Sequence, residues 1–283
     1  MPGLKCHLRV IRTVVRLART GLHLLWAVAI VATAFHFLSR GSRRTLKARW
    51  SLQLLEMLGV RLRCEGAPAA AGLLVANHIS WLDIYAINAL VPTSFVAKDE
   101  VRTWPLIGWL STRAETIFVQ RGSRAAAMGA KDQLVDQLRQ QTCVGLFPEG
   151  TTSEGDSVLP FHSALFQSAI DAGVPVMPVA VRYTDSDGRN AAAPVYVGQT
   201  SLWQCLCAIV AEDALTVHIA FLPAIDCGEM TRRELAQKAH RRVVTALGTQ
   251  PVSSTSRKEN VCTDESTPCC GFDAQPHALA QQR

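Results

Sequence analysis

The stretch GLLVANHISWLD at residues 72–83 joins an apolar run to a polar turn that holds a histidine and a carboxylate. The run GLLVA at 72–76 is short, apolar and opened by glycine, which is typical of a buried β-strand. From Leu82 onward the apolar spacing is that of a helix reaching about residue 90. His78 and Asp83 therefore lie at the carboxyl end of a strand, where open α/β sheets usually place their active sites.

The pair His78 and Asp83 has two interpretations, which the spacing alone leaves open. In the first, Ser80 is the N-cap of the helix and Asp83 completes a capping-box-like pair, so that both serve only the helix start. In the second, the turn folds the imidazole of His78 back onto the carboxylate of Asp83. That carboxylate then holds one ring nitrogen protonated and leaves the other free as a base.

Short apolar runs alternate with helical patterns along the rest of the chain. The predicted strands are VRLRC (60–64), GLLVA (72–76), TSFVA (93–97), TIFVQ (116–120), CVGLFP (143–148), VPVMPVAVRY (174–183) and LTVHIAFL (215–222). Helices are predicted near 82–90, 123–140, 162–172, 201–210 and 231–247. This alternation predicts an α/β domain with a single central sheet, mostly parallel or mixed, flanked by helices.

The N-terminal segment differs from the rest of the chain in charge. Residues 1–63 contain twelve Lys and Arg and one acid, Glu56, for a net charge of +11, while the remaining 17 basic and 22 acidic residues give −5. The high isoelectric point therefore belongs to the N-terminus, and the charge of the remaining chain does not indicate a DNA-binding protein.

Two patterns in this segment predict attachment to a membrane. A first helix carries cations on one stripe and aliphatic residues on another, as in a helix lying in an anionic membrane surface. Its cations are Lys5, Arg9, Arg12, Arg16 and Arg19, and its aliphatic residues are Leu8, Ile11, Val14, Val15 and Leu22. The uncharged run LHLLWAVAIVATAFHFL at 22–38 is at the short end for a span, so it predicts either one crossing or a hairpin in one leaflet.

The domain organisation follows from these changes of pattern. Residues 1–58 are predicted to be membrane-anchoring helices, the last of them over 46–58 with Gly59 as its C-cap. Residues 59–249 are the α/β domain, and the Ser-, Thr-, Gln- and Pro-rich residues 250–283 are a predicted disordered tail. Nine cysteines without a CxxC pair favour free thiols in a reducing compartment and no metal site.

A second polar motif follows a later predicted strand. CVGLFPEGTTS at 143–153 runs from an apolar strand into a tight turn rich in hydrogen-bonding groups. The chain has no GxSxG elbow in either motif, no Walker loop and no GxGxxG fingerprint. A serine hydrolase, a P-loop enzyme and a dinucleotide-binding protein are therefore disfavoured.

Four blocks in order, NHISWLD, IFVQR at 117–121, FPEGTTS at 147–153 and VPVMPV at 174–179, resemble the motifs of the glycerolipid acyltransferases, in particular the 1-acyl-sn-glycerol-3-phosphate acyltransferases. The resemblance implies a glycerol-3-phosphate acyltransferase-like fold, with His78 as general base and Asp83 orienting it. It further implies that Arg121 helps to bind an acceptor phosphate. The substrate-binding residues it implies are Asn77, Arg121, Glu149, Gly150 and Thr151.

Two positions depart from the pattern of that family. Thr152 stands where members that acylate lysophosphatidate commonly have arginine, and Glu115 stands where a glycine often precedes the IF pair. The loss of one cation weakens the prediction of a phosphate-bearing acceptor. The alternative acceptors are lyso-ornithine lipid and lysophospholipids, and a more distant alternative is a non-catalytic membrane lipid-binding protein.

The function implied by the resemblance is acyl transfer to 1-acyl-sn-glycerol 3-phosphate, giving phosphatidate. The donor would be acyl-CoA or acyl-carrier protein as co-substrate, with no cofactor and no metal. The expected partners are a membrane lyso-lipid, the acyl donor and an anionic membrane surface, and not nucleic acid. The expected location is the bacterial inner membrane, with the catalytic domain facing the cytoplasm.

Overall fold

The structure is a computed structural model of the chain that describes residues 2–68, 70–120 and 124–249. The strands are β1 Val60–Glu65, β2 Gly72–Ala76, β3 Thr93–Lys98, β4 Ile117–Val119, β5 Cys143–Leu146, β6 Val176–Thr184 and β7 Leu215–Phe221. The helices are α1 Pro2–Thr33, α2 Arg40–Leu58, α3 Leu82–Leu90, α4 Ile107–Arg113, α5 Arg124–Arg139, α6 Gln167–Ala172, α7 Leu202–Ala211 and α8 Arg232–Leu247. Short 3-10 helices cover Phe35–Phe37, Asp99–Thr103 and Ala164–Phe166.

The seven strands form one mixed sheet in the order β1-β7-β6-β2-β5-β3-β4. The five strands from β6 to β4 in that order are parallel, while β7 pairs antiparallel with β6 and parallel with β1. The predicted single sheet, mostly parallel or mixed, is confirmed. The carboxyl ends of β2, β5 and β6 meet at one edge near the centre of the sheet.

Helices cover both faces of the sheet, which explains why its central strands are apolar throughout. All five residues of β2 are buried. On one face, the side chains of α2, α3 and α7 pack against residues such as Leu74 and Val181. On the other face, α5, α6 and α8 pack against residues such as Leu73 and Val144. A strand buried on both sides has no polar alternation, so it reads as a continuous apolar run.

Most of the predicted elements are confirmed within two residues, but α2 begins six residues earlier than predicted, α6 begins five residues later, and two segments were missed. Each of the seven predicted strands corresponds to a strand, and α2 ends at Leu58 with Gly59 in the left-handed conformation, at φ 79°. The 3-10 helix Asp99–Thr103 and α4 were not predicted. Pro105 interrupts any apolar periodicity there, and Leu106 has a positive φ of 64°.

The N-terminal helix differs from the prediction in its length and in the partners of its cations. A single helix, α1, runs to Thr33 instead of two successive segments. Arg9, Arg12 and Arg16 donate to the backbone carbonyls of residues 210–212 at 2.7 to 3.2 Å, and Arg12 also pairs with Asp213. These cations therefore complement the negative end of the α7 dipole, where the sequence had suggested contact with lipid.

The opposite stripe of α1 faces outward. The exposed fractions of its large apolar side chains lie between 48% and 67%, at Val10, Ile11, Val14, Val15, Leu22, Leu25 and Trp26. Arg9–Thr33 is the one stretch in the described residues that is long and apolar enough to cross a membrane. Its later half packs on α2, where the ring of His23 stacks on Trp50 with centroids 5.0 Å apart. The predicted tail, 250–283, lies outside the described residues.

Candidate active site

The turn between β2 and α3 brings His78 and Asp83 together. The Nδ1 atom of His78 lies 2.8 Å from Oδ2 of Asp83. The Ser80 side chain does not cap α3, whose N-cap residue is Trp81 with no side-chain hydrogen bond, so that half of the capping-box interpretation is wrong. The other half is present, because Asp83 Oδ2 accepts the backbone N–H of Ser80 at 3.0 Å.

The carboxylate of Asp83 is fully buried and accepts from four donors among the described residues. Its Oδ2 accepts from His78 Nδ1 and from the backbone N–H groups of Ile79 and Ser80 at 2.8 and 3.0 Å. Its Oδ1 accepts from the hydroxyl of Tyr183, at the end of β6, at 2.7 Å. Both oxygens of the carboxylate therefore accept hydrogen bonds that hold it in place.

The imidazole of His78 is held on one side and open on the other. Its ring stacks on Phe147 with centroids 3.9 Å apart and an interplanar angle of 12°, and 19% of its side chain is exposed. Because the carboxylate accepts the Nδ1 hydrogen, the neutral ring carries its lone pair on Nε2. None of the described residues hydrogen-bonds to Nε2.

The FPEGTTS loop at 147–153 holds the backbone of His78 from the other side. The N–H of His78 donates to Oε1 of Glu149 at 2.8 Å. Its carbonyl accepts from the N–H of Ser153 at 2.7 Å and from the Ser153 hydroxyl at 3.2 Å. Together with the Phe147 stack, these contacts bind the two sequence motifs to each other through a single residue, His78.

The side-chain carboxylate of Glu149 is buried and accepts hydrogen bonds from the main chain. Only 1% of the residue is exposed, and its Oε2 accepts the backbone N–H of Leu159 at 2.9 Å. Burial raises the pKa of Glu149 to about 7, although its two backbone donors oppose that shift. Both carboxylate oxygens are thus occupied by the protein, and the acceptor-binding role implied for Glu149 stays a prediction.

The remaining residues of that loop lie at the surface of the site. Gly150 has a φ of 70°, in the left-handed region that glycine favours, and Thr151 is exposed. The Thr152 hydroxyl donates to the carbonyl of Tyr196, whose own N–H donates to the carbonyl of Ile79 at 3.1 Å. The segment around Tyr196 is therefore bonded to both motifs.

Two further predicted site residues have different outcomes. The side-chain amide of Asn77 is buried and forms two hydrogen bonds with the backbone of Val181, at 2.9 and 2.8 Å. It extends the pairing of β2 with β6 past the end of β2, and its implied substrate role stays a prediction. Arg121 lies outside the described residues.

Two contacts of the dyad were not predicted from the sequence. Tyr183 ends an apolar strand, and nothing local distinguishes it from a core residue. Phe147 lies in the FPEGTTS motif, and no role was predicted for it. Among the described residues, no group of three or more His, Cys, Asp or Glu side chains is placed to hold a metal ion.

Comparison with known proteins identifies the family. A family model described as Acyltransferase matches residues 61–182. The chain is 39% identical over 217 residues to the lyso-ornithine lipid O-acyltransferase of Pseudomonas aeruginosa, an alignment covering 76% of this chain and 83% of that protein. The chain belongs to the acyltransferase family.

Other relatives of this acyltransferase carry a second name. The chain is 42% identical over 161 residues to the 1-acyl-sn-glycerol-3-phosphate acyltransferase of Neisseria meningitidis. That alignment covers 57% of this chain and 63% of the relative. The crystal structure of the 1-acyl-sn-glycerophosphate acyltransferase PlsC from Thermotoga maritima matches with a TM-score of 0.56, at 21% identity, over 84% of this chain and all of that one. At that identity the match shows the fold alone. The chain is an O-acyltransferase of the lysophospholipid type.

Proposed function

We propose that this acyltransferase moves a fatty acyl group from a thioester, acyl-CoA or acyl-carrier protein, to the free hydroxyl of a lyso-lipid, with His78 as the general base. The observation that carries the proposal is a histidine whose Nδ1 lies 2.8 Å from a buried carboxylate and whose Nε2 has no hydrogen-bond partner among the described residues. An alcohol is a poor nucleophile at neutral pH, so a base must take its proton during the attack.

The dyad provides for both proton transfers of the reaction. Nε2 of His78 accepts the proton of the attacking hydroxyl, and Asp83 stabilises the imidazolium that forms. The tetrahedral intermediate then expels the thiolate, which takes the proton from Nε2. General base catalysis of this kind contributes about 10² to 10⁴ in rate, and the remainder comes from holding the two substrates together.

For the acceptor, we propose lyso-ornithine lipid, with 1-acyl-sn-glycerol 3-phosphate as the second candidate. The relative from Pseudomonas aeruginosa that carries the first name aligns over 76% of this chain, and the Neisseria relative that carries the second name over 57%. Thr152, where a cation would favour a phosphate, is bonded to the carbonyl of Tyr196 instead. The higher identity of the Neisseria relative, 42%, supports the second candidate.

A panel of acceptors tests this proposal. Purified full-length protein in mixed micelles is given labelled acyl-CoA and, in parallel, acyl-carrier protein, with lyso-ornithine lipid, 1-acyl-sn-glycerol 3-phosphate or a lysophosphatidylethanolamine. Reactions without protein are the blank. We expect the highest kcat/KM with lyso-ornithine lipid. A higher value with the phosphate acceptor would establish the second candidate, and no turnover with any acceptor would contradict the proposal.

We also propose that α1 lies in the plane of one leaflet of the membrane. Its residues 9–16 are bonded to the end of α7, so they cannot enter the hydrocarbon without leaving the domain. The part beyond Arg19 is about 21 Å long at 1.5 Å per residue, shorter than the roughly 30 Å hydrocarbon core. Its outward apolar stripe is the surface that lipid would cover.

Sedimentation with vesicles tests the position of α1. We expect Leu22→Asp with Leu25→Asp to reduce binding to vesicles that contain anionic lipid, because both side chains lie on the outward stripe. The matched control is Met128→Asp, since Met128 is an exposed apolar residue on α5, on the opposite face of the sheet. Equal binding by the two proteins would contradict the in-plane arrangement.

A further inference from the structure

Among the described residues, Tyr183 supplies the one donor to Asp83 that does not belong to the turn 78–83. It is the penultimate residue of β6, and only 2% of it is exposed. Its hydroxyl donates to Oδ1 of Asp83 at 2.7 Å, while the other three donors converge on Oδ2. The phenol is therefore the hydrogen-bond partner of Oδ1, the carboxylate oxygen that the turn does not contact.

We propose that Tyr183 is a positioning residue for the transfer reaction, which holds the carboxylate of Asp83 in the orientation and charge state that keep His78 a base. This inference rests on the proposed role of His78 as general base. It assigns to the end of β6 a part in catalysis, exerted through Asp83 and without contact with either substrate.

The orientation argument follows from burial. The Asp83 side chain is 0% exposed, so without the phenol its Oδ1 would be buried with no donor from the described residues. An unpaired buried oxygen is costly, and the carboxylate lowers that cost by rotating toward the remaining donors. Such a rotation changes the direction of the Nδ1 hydrogen bond and turns the imidazole of His78 away from its present plane.

The charge argument concerns proton binding by the dyad. The hydroxyl stabilises the form in which Asp83 is ionised and His78 neutral, with net charge −1, more than the form that has bound a proton and is neutral overall. Without the hydroxyl, the charged form of the dyad loses one hydrogen bond, so binding of a proton by the pair becomes relatively more favourable. The acid limb of the rate profile should move to higher pH.

Removing the Tyr183 hydroxyl leaves the other titratable groups around Asp83 in the protein. The titratable groups that face Asp83 are His78 from the turn, Glu149 from the loop after β5, Tyr183 from β6 and Cys205 from α7. Burial, followed by the charge of Asp83 and the hydrogen bond to it, raises the pKa of Tyr183 well above its usual value, so the phenol stays a donor over the working pH range.

Tyr183→Phe tests the proposal, because phenylalanine keeps the ring and removes the hydroxyl. The matched control is Tyr85→Phe, since Tyr85 is a phenol on the same helix as Asp83 that packs against Trp50 and Trp81. For Tyr183→Phe we expect kcat to fall about tenfold to a hundredfold, the loss of one hydrogen bond to a charged group. The KM values of donor and acceptor should stay within about twofold.

The pH profile of kcat/KM separates positioning from a structural role. We expect the acid limb of Tyr183→Phe to move to higher pH and that of Tyr85→Phe to stay in place. Site-specific 3-fluorotyrosine at position 183 is a stronger donor, and it should move the limb to lower pH. Thermal denaturation of each protein establishes that the measured rates refer to folded enzyme.

The outcomes distinguish this inference from the function on which it rests. If His78→Ala abolishes turnover while Tyr183→Phe behaves like Tyr85→Phe, or lowers kcat without moving the acid limb, the positioning role is wrong and the general base stands. If His78→Ala retains full turnover, the proposed mechanism itself fails. Opposite shifts of the limb for phenylalanine and fluorotyrosine at position 183 would establish the role of the phenol.

Discussion

Two buried carboxylates lie within the two motifs, and they differ in what their oxygens contact. Asp83, in the turn 77–83, accepts from an imidazole, a phenol and two backbone amides. Glu149, in the loop 147–153, accepts from the backbone amides of His78 and Leu159. Asp83 contacts a side chain that can exchange a proton, whereas Glu149 contacts main-chain amides and holds the backbone in place. Burial of an acid is therefore not by itself a sign of catalysis, because the partner decides the role.

The largest effect expected from this contrast is that of Asp83→Asn. The amide has the size of the carboxylate but no charge to stabilise the imidazolium of His78, and one of its two ends is a donor. We expect kcat to fall by about 10² to 10⁴, with the protein still folded. Steady-state rates and thermal denaturation measure the two effects. A kcat within about threefold of that of the native protein would contradict a role for Asp83 in the mechanism.

A smaller effect is expected for Glu149→Gln. Glutamine can accept from only one of the two backbone amides that Glu149 binds, so either His78 or Leu159 loses its acceptor. We expect kcat to fall about tenfold, corresponding to one hydrogen bond, with the acid limb of the pH profile in place. A loss as large as that of Asp83→Asn would show that Glu149 does more than hold the main chain.

The same residue gives stability a pH dependence. The pKa of Glu149 is about 7 in the folded protein and 4.5 for an ordinary glutamate, so the folded state binds more protons between these values. The free energy of unfolding should therefore be highest below pH 4.5 and fall by up to about 3 kcal/mol as pH rises to 7, as far as this group is concerned. The free energy of unfolding is measured by denaturant titration at each pH. Over this window it should fall more steeply with pH for the native protein than for Glu149→Gln. Parallel curves would contradict the raised pKa.

The smallest effect is expected for Thr152→Val. This change removes the hydrogen bond from the loop to the carbonyl of Tyr196, a partly exposed residue. We expect kcat within about threefold of the native value and a modest rise in the acceptor KM. Thr152→Ser, which keeps the hydroxyl, is the control. If Thr152→Val lowered kcat as much as Glu149→Gln, the Tyr196 segment would be part of the catalytic arrangement.

The sequence predicts the features that short separations encode. His78 and Asp83 are five residues apart, so a single turn of the chain brings them into contact. The central strand β2 can be predicted from its continuous apolar run because it is buried on both faces. Long-range contacts are not encoded in this way. Tyr183 is 100 residues from Asp83, and Asn77 is 104 residues from Val181. Their roles follow from the order of the strands, which no local pattern contains.

Two local signals were used in the prediction, but their structural meaning was missed. Glu115 stands where the resemblance led us to expect glycine, and its φ is 64°, in the left-handed region that glycine favours. The arginines at 9, 12 and 16 suggested a lipid surface, whereas they bind carbonyl groups at the end of α7. A basic stripe has the same spacing in both cases, and only the packing of α1 distinguishes them.

The most direct test of the central claim, that His78 is the base of the transfer reaction, is the turnover of His78→Ala. Initial rates are compared with those of the native protein at equal amounts of vesicle-bound, folded enzyme, so that membrane binding and stability are controlled. We predict that turnover falls at least about a hundredfold while vesicle binding is unchanged. Turnover equal to that of the native protein would contradict the assignment of His78 as the general base.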